Sequence, residues 1–186
     1  MKRATTLMLI ILFTISFGFS QEKPATADEI MEKAIKVAKK ENKAVFLIFH
    51  ASWCGWCKKM DAAMNDDSCK EYFNNSFVTI HMVVKESKDN KHLENPGADE
   101  LLAKYKGDRS GIPFWLIFDN KGSLIADSFM RAEGVSADEP GSNIGCPAQE
   151  NEVAAFIKKL KLTSSMTEDE EVKITERFKK NNIRTR

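Results

Sequence analysis

Ala44-Val45-Phe46-Leu47-Ile48-Phe49 places six apolar residues in a row, after the polar stop Glu41-Asn42-Lys43. A run of that length without alternation predicts a strand buried on both faces, which requires a layer of structure on each side of its sheet. The chain then turns into Trp53-Cys54-Gly55-Trp56-Cys57-Lys58, with a helix expected from about Gly55 to Met64. Phe77 to Val84 is rich in β-branched residues and predicts a second strand. Strand, helix and strand in this order imply a right-handed crossover and a parallel pair.

Other segments fit around that unit. Thr26-Ala27-Asp28-Glu29 has the form of a capping box, and Ile30, Ala34, Val37 and Ala38 follow at helical spacing. A short helix is expected over Ser68 to Asn74 and another over Ala98 to Tyr105, with a charged loop from Lys85 to Gly97 between strand and helix. Phe114 to Phe118 and Leu124 to Phe129 flank Asp119-Asn120-Lys121-Gly122, a hairpin signal. Met130 to Ala148 has three glycines, two prolines and no periodicity, and predicts a long loop. Glu152 to Leu162 predicts an amphipathic helix with Val153, Phe156, Ile157 and Leu160 on one face.

The ends of the chain differ from the middle. Lys2 and Arg3 precede an apolar run from Leu7 to Phe19, with small residues Gly18 and Ser20 before Gln21. The run is short for a membrane span and has the pattern of a cleaved secretory leader over residues 1–20. A leader of that kind places the rest of the chain outside the cytoplasm, where disulfides persist. Residues 21–162 then form the folded domain. Residues 163–186 are a charge-dense extension with Val172, Ile174, Phe178 and Ile183 as its apolar content, expected as a solvated appendage, with a surface helix from Thr167 and a Thr167/Glu170 capping box. The whole chain has 28 Lys and Arg against 27 Asp and Glu, and this near-neutral balance gives no electrostatic case for a nucleic-acid partner.

Cys54 and Cys57 sit where a buried strand gives way to a helix. Residues three apart on a first helical turn share a face, at a separation close to the reach of a disulfide. Cys54 falls at the helix N-terminus, where unpaired N–H groups and the macrodipole favour an anion, so its thiolate is stabilised. Cys57, one turn in and more buried, is placed to resolve a mixed disulfide. A static bridge closing so small a loop would constrain the unfolded chain little. A zinc site would need a second ligand pair, and Cys69 and Cys146 are too far apart in sequence to supply one, while His81 and His92 lack the usual spacing. Thiol–disulfide chemistry is the stronger reading.

Phe49-His50-Ala51-Ser52-Trp53-Cys54-Gly55-Trp56-Cys57-Lys58-Lys59-Met60, together with Asn95-Pro96-Gly97, Lys104-Tyr105 and Gly111-Ile112-Pro113, resembles the thioredoxin superfamily over about Ala44 to Leu162. The resemblance implies an α/β thioredoxin fold, with a central mixed sheet and helices on both faces. It implies Cys54 and Cys57 as the catalytic pair and a cis Ile112–Pro113 bond facing them. Trp53, Gly55, Trp56, Ile112 and Pro113 would then make the substrate-binding rim, with the Ile112 backbone pairing with an extended segment. Trp53 is equally explicable as a buried packing residue. No organic cofactor or metal is implied.

Three positions depart from the resemblance. Thioredoxins carry a buried acid six residues before the first Cys, and Ile48 stands there. His81 on the neighbouring strand is the nearest substitute, or an ordinary half-buried histidine. Gly55-Trp56 is not the thioredoxin dipeptide, and the loop before the last helix carries an extra thiol, Cys146. A Cys69–Cys146 bridge is the less favoured expectation. Cys146 near the mouth of the site, as a third thiol open to exchange, is the more favoured one. Lys58 and Lys59 are expected to point to solvent.

The functional expectation is a monomeric extracytoplasmic thiol–disulfide oxidoreductase that reduces protein disulfides and is recharged by a membrane redox partner. The reducing direction follows the likeness of Trp-Cys-Gly-x-Cys-Lys to the reducing side of the superfamily. The alternative is a redox-inactive polypeptide-binding or chaperone module on the same fold.

Overall fold

The structure is a computed structural model that describes residues 23–182. The leader expected over 1–20 and the apolar Ile183 lie outside the described residues. The elements are α1 (Ala27–Glu41), β1 (Ala44–His50), α2 (Gly55–Met64), α3 (Lys70–Ser76), β2 (Phe77–Val83), α4 (Ala98–Lys104), β3 (Phe114–Phe118), β4 (Leu124–Asp127), β5 (Phe129–Met130), β6 (Ser142–Asn143), α5 (Glu150–Thr163) and α6 (Glu168–Lys179). Short 3₁₀ turns cover Lys88–Leu93 and Lys180–Asn182.

β1 is the second strand of a four-stranded sheet ordered β2-β1-β3-β4. It pairs in parallel with β2 and antiparallel with β3, and β3 pairs antiparallel with β4. The sheet is therefore mixed, with helices on both faces. Alternate residues of β1 divide between two cores, because successive side chains of a strand point to opposite faces. Val45, Leu47 and Phe49 join Leu116 and Phe118 under α1 and α4. Phe46 and Ile48 join Trp115 and Ile117 against α2, α3, α5 and α6. The six-residue apolar run is fully buried, as its lack of alternation requires.

Local signals set the element ends. Thr26 Oγ1 accepts the Glu29 N–H while Glu29 returns a carboxylate to the Thr26 N–H, and Asn42 closes α1 in the left-handed region. The β3–β4 turn is held by Asp119, whose carboxylate accepts the N–H groups of Lys121 and Ser123, with Gly122 at φ 87°. The Ile112–Pro113 bond is cis.

Two expectations need correction. Met130 to Ala148 is not loop throughout, because Ser142 and Asn143 return as β6 to pair with β5. A two-residue strand is too short to leave a periodic signal. The C-terminal extension is not a solvated appendage. Ile174 and Phe178, four apart on α6, are fully buried in the larger core, and Phe178 packs on Phe156 and Phe73. Thr167 and Glu170 form the expected capping box. The charge of α6 sits on its outer face, and the core it completes is made by residues far away in sequence.

Candidate active site

The site is built at the junction of β1 and α2. β1 ends at His50, the chain turns through Ala51 to Trp53, and Cys54 becomes the N-cap of α2. Cys54 and Cys57 are joined by a disulfide with their Cα atoms 5.3 Å apart. Cys54 Sγ accepts the Cys57 N–H at 3.1 Å, so the sulfur takes up one of the unpaired donors of the helix terminus. The same sulfur lies 3.6 Å from the Ile112 carbonyl oxygen. Both cysteines are buried to nearly the same degree, 3% and 2% exposed, so position on the helix rather than burial distinguishes them.

The rim residues converge on the pair. Ile112 packs on Ala51, Cys54 and Cys57, and Pro113 follows it into β3. Trp53 is 58% exposed and Trp56 48%, which removes the alternative of Trp53 as a buried packing residue. The Trp53 indole N–H donates to the Lys85 carbonyl oxygen, fixing that ring at the surface. A Cβ placed on Gly55 would meet nothing within 4 Å, so the space over that residue is open. Lys58 is exposed, but Lys59 is not free in solvent. Its ammonium sits 4.5 Å over the Trp56 ring and donates to the Asn181 carbonyl oxygen at 3.2 Å.

Ile48 is buried at the position of the absent acid, directly opposite His81 in the parallel register of β1 and β2. His81 is half-buried, and its Nε2 lies 2.8 Å from a carboxylate oxygen of Asp61, which stands four residues after Cys57 on α2. The His50 ring packs edge-on to His81 at 5.2 Å. Burial, reinforced by the neighbouring His81, lowers the His50 pKa from its ordinary value, although Asp61 and Glu86 act against this.

Glu86 was not legible in the sequence. It lies in the charged loop after β2, yet among the described residues it is the one buried acidic side chain, and it accepts both the N–H and the hydroxyl of Ser52. Burial disfavours its charge, but the Ser52 hydrogen bonds, together with the Ser87 N–H and the nearby His50, outweigh that effect and hold the carboxyl below its usual value. Glu86 thereby clamps the turn that presents Cys54. Asn143 was missed as well. Its amide donates to the carbonyls of Gly111 and Pro113, bracketing Ile112, while its oxygen accepts from Gly145 N–H and Ser128 Oγ. No sequence signal marks either role, since each depends on loops meeting in space.

A cleft of about 380 Å³ opens beside the pair, between Trp56, Ile112 and Pro113 on one side and Asn181 and Asn182 on the other. Cys146 lies in its wall, close to the site as expected, and Cys69 lies elsewhere in the same core. The two are not bridged. Burial pushes the Cys146 thiol up to about 12, so it is a poor nucleophile where it stands, contrary to a role in exchange. Burial raises the Cys69 thiol as well.

A family model described as thioredoxin-like matches residues 26–120, from the N-cap of α1 into the β3–β4 turn. No curated protein matches the chain. Among solved structures, a disulphide isomerase from Xylella fastidiosa Temecula1 is 20% identical, with a TM-score of 0.46, over 61% of this chain and 79% of that one. A thioredoxin from Thermus thermophilus is 18% identical, with a TM-score of 0.42, over 75% and 84%. The C-terminal domain of DsbD from Neisseria meningitidis is 23% identical, with a TM-score of 0.39, over 56% and 84%.

Proposed function

The chain belongs to the thioredoxin-like family, and from that premise we propose that it is an extracytoplasmic oxidoreductase that reduces disulfides of other proteins through Cys54 and Cys57. The observation that carries this reading is the placement of the pair. Cys54 caps α2, takes the Cys57 N–H on its sulfur and faces the Ile112 carbonyl within a rim of exposed indoles. Once the pair is reduced, the hydrogen bond and the helix terminus favour the thiolate at Cys54 over that at Cys57.

The Cys54 thiolate attacks one sulfur of a substrate disulfide. A Cys54–substrate bond forms, the substrate S–S bond breaks, and the second substrate sulfur leaves as a thiolate and takes a proton. Cys57 then loses its proton and attacks the Cys54 sulfur, forming the bond seen here between Cys54 and Cys57 and releasing the first substrate sulfur. The substrate gains two electrons and the pair loses two. A membrane dithiol donor would return them. Trp53, Gly55, Trp56, Ile112 and Pro113 would contact the substrate, with apolar surface from the indoles and backbone groups from the loop at Ile112. In the absence of a carboxylate at Ile48, the His81–Asp61 pair, with Asp61 four residues after Cys57 on α2, would relay its proton. The leader pattern over residues 1–20 supports work outside the cytoplasm.

Turnover of insulin disulfides with dithiothreitol as donor tests the activity, and alkylation of intact cells tests the direction. A reductase accelerates insulin precipitation and holds Cys54 and Cys57 largely reduced in growing cells. Absence of turnover with retained polypeptide binding would favour the redox-inactive holding module instead, and a pair found almost wholly oxidised in cells would mark an oxidase.

A further inference from the structure

The cleft beside the disulfide holds a cation that no carboxylate neutralises among the described residues. Lys59 is half-buried in the cleft wall, three residues beyond Trp56 on α2. Its ammonium lies 4.5 Å over the Trp56 ring and donates to the Asn181 carbonyl oxygen at 3.2 Å. A ring face and a neutral carbonyl orient the group without cancelling its charge. The basic side chains near the end of α6 differ in this respect, since Arg177 bonds Asp66 and Lys179 bonds Glu150. A lysine ammonium also keeps further donors once the Asn181 carbonyl has taken one.

Glu152 lies in the same cleft with the opposite charge. Its carboxylate accepts the N–H groups of Ala148 and Gln149 at the start of α5, where the helix terminus itself favours a negative charge. Cys146, in the cleft wall, registers the balance between the two. Burial has the largest effect on its thiol; of the charges acting there Lys59 has the strongest effect, followed by Arg177, and Glu152 and Asp61 oppose them more weakly. The field at that wall is therefore positive. Keeping a half-buried ammonium without a counter-charge costs solvation. Because Trp56 and Asn181 already fix it, a carboxylate entering the cleft gains a charge-assisted hydrogen bond with little further ordering. At about 380 Å³ the cleft has room for one or two side chains of an extended segment. Ile112 lines it together with Lys59, so a segment pairing with the Ile112 backbone would pass the ammonium.

We infer that Lys59 is a specificity-determining residue: its ammonium, held in the cleft by Trp56 and the Asn181 carbonyl, recognises an acidic side chain next to the cysteine of a polypeptide substrate. This rests on the oxidoreductase reading and adds to it the class of sequence attacked.

The test uses the full chain carrying Cys57→Ser, in which a bond formed at Cys54 is not resolved. Short unstructured peptides each carry one cysteine activated as an uncharged 2-pyridyl disulfide, with Glu, Gln or Lys beside it. A further peptide has Gln beside the cysteine and Glu several residues away, so its net charge equals that of the Glu peptide. Attack by the Cys54 thiolate on the peptide sulfur forms the protein–peptide disulfide, breaks the peptide–pyridyl S–S bond and releases pyridine-2-thione, whose absorbance gives the rate. The Glu peptide should react about fivefold faster than the Gln peptide, the Lys peptide slowest, and the peptide with the distant Glu no faster than the Gln peptide. Adding Lys59→Met, which keeps the stem over Trp56, should bring the Glu and Gln rates together, and Lys59→Arg should keep them apart. Equal Glu and Gln rates with Lys59 in place, or a Glu preference that survives Lys59→Met, would overturn the inference. So would an equal gain from near and distant Glu, which is steering by net field. If no peptide reacts at all, the oxidoreductase reading itself fails and the recognition falls with it.

Discussion

Replacing Phe178 by alanine removes a fully buried ring whose centroid lies 5.0 Å from that of Phe156 and 6.2 Å from that of Phe73. Phe156 in turn touches Phe46 and Trp115, so the gap would open into the centre of the larger core rather than at its margin. Truncating a phenylalanine in such surroundings costs about 3–5 kcal/mol, the transfer energy of the ring plus the cavity it leaves. α6 contributes Ile174 and Phe178 as its fully buried apolar side chains, with Asn181 following, and it can undock before the rest unfolds. The loss is then capped by the docking energy of that helix, which puts the expected value at the lower end, about 3 kcal/mol. For a domain of this size each kcal/mol shifts Tm by about 2–4 °C, so the midpoint should fall by about 6–12 °C. Urea unfolding by circular dichroism, with both proteins in the same thiol state, measures the change. Amide exchange locates it, since α6 should exchange faster than β1 in the variant. A loss below about 1 kcal/mol with unchanged exchange in α6 would refute the docking argument, because surface changes away from packed sites stay within roughly that range.

Cys54→Ser should abolish insulin reduction, while Cys57→Ser should accumulate mixed disulfides visible on non-reducing gels; similar residual turnover in both would reverse or dissolve the assignment of roles. In the folded, reduced protein at pH 8, iodoacetamide should label Cys54, whose thiolate the α2 terminus favours, well before Cys146, whose thiol burial pushes up to about 12, and before Cys69; labelling of Cys146 as fast as Cys54 would remove the helix terminus as the source of Cys54 reactivity. Glu86→Gln should destabilise the protein by about 1–2 kcal/mol at pH 7, because a charge-assisted acceptor for the Ser52 N–H and hydroxyl becomes a neutral one; no change in urea midpoint would remove Glu86 as the clamp of the turn. The Asp66 carboxyl is held at about 2 by the Ser68 hydroxyl and N–H and, against burial, by Arg177. A depressed carboxylate pKa stabilises the fold above its unfolded value of 3.8 and ceases to do so as pH falls through about 2. The stability gap between the native protein and Asp66→Asn should therefore be flat above pH 5 and close as pH falls through that window; a gap unchanged down to pH 2 would show that the carboxylate charge contributes nothing.

Much of this architecture could be read from the chain because the signals were local. The apolar run at β1, the turn residues after β3 and both Thr capping boxes depend on neighbours within a few positions. α2 ran from Gly55 to Met64 as its sequence implied, and the cysteine pair fell at its start. What was not legible needed distant partners. Glu86 is one of three acids in a charged loop until Ser52 comes to meet it. Asp61 and His81 stand 20 positions apart and meet only because β2 lies alongside β1, next to α2. Ile174 and Phe178 did carry a signal, two apolar residues four apart, but the charge around them outweighed it. Nothing local shows that Phe156 and Phe73 leave a space that Phe178 fills.

The tie between Asn181 and the loop at Cys146 and Pro147 also bears on timing. A ribosome adds roughly 5–20 residues per second, and about 125 residues separate Cys57 from the last wall of the cleft, so roughly 6–25 s pass between the appearance of the thiols and the arrival of that wall. During this interval the nascent chain carries both thiols without the Asn181 side of the cleft beside them. A chain stalled or cut before α6 would keep both cysteines and lose Ile174 and Phe178 from the larger core, so quality control of this protein has reason to act on its last few turns rather than on its first.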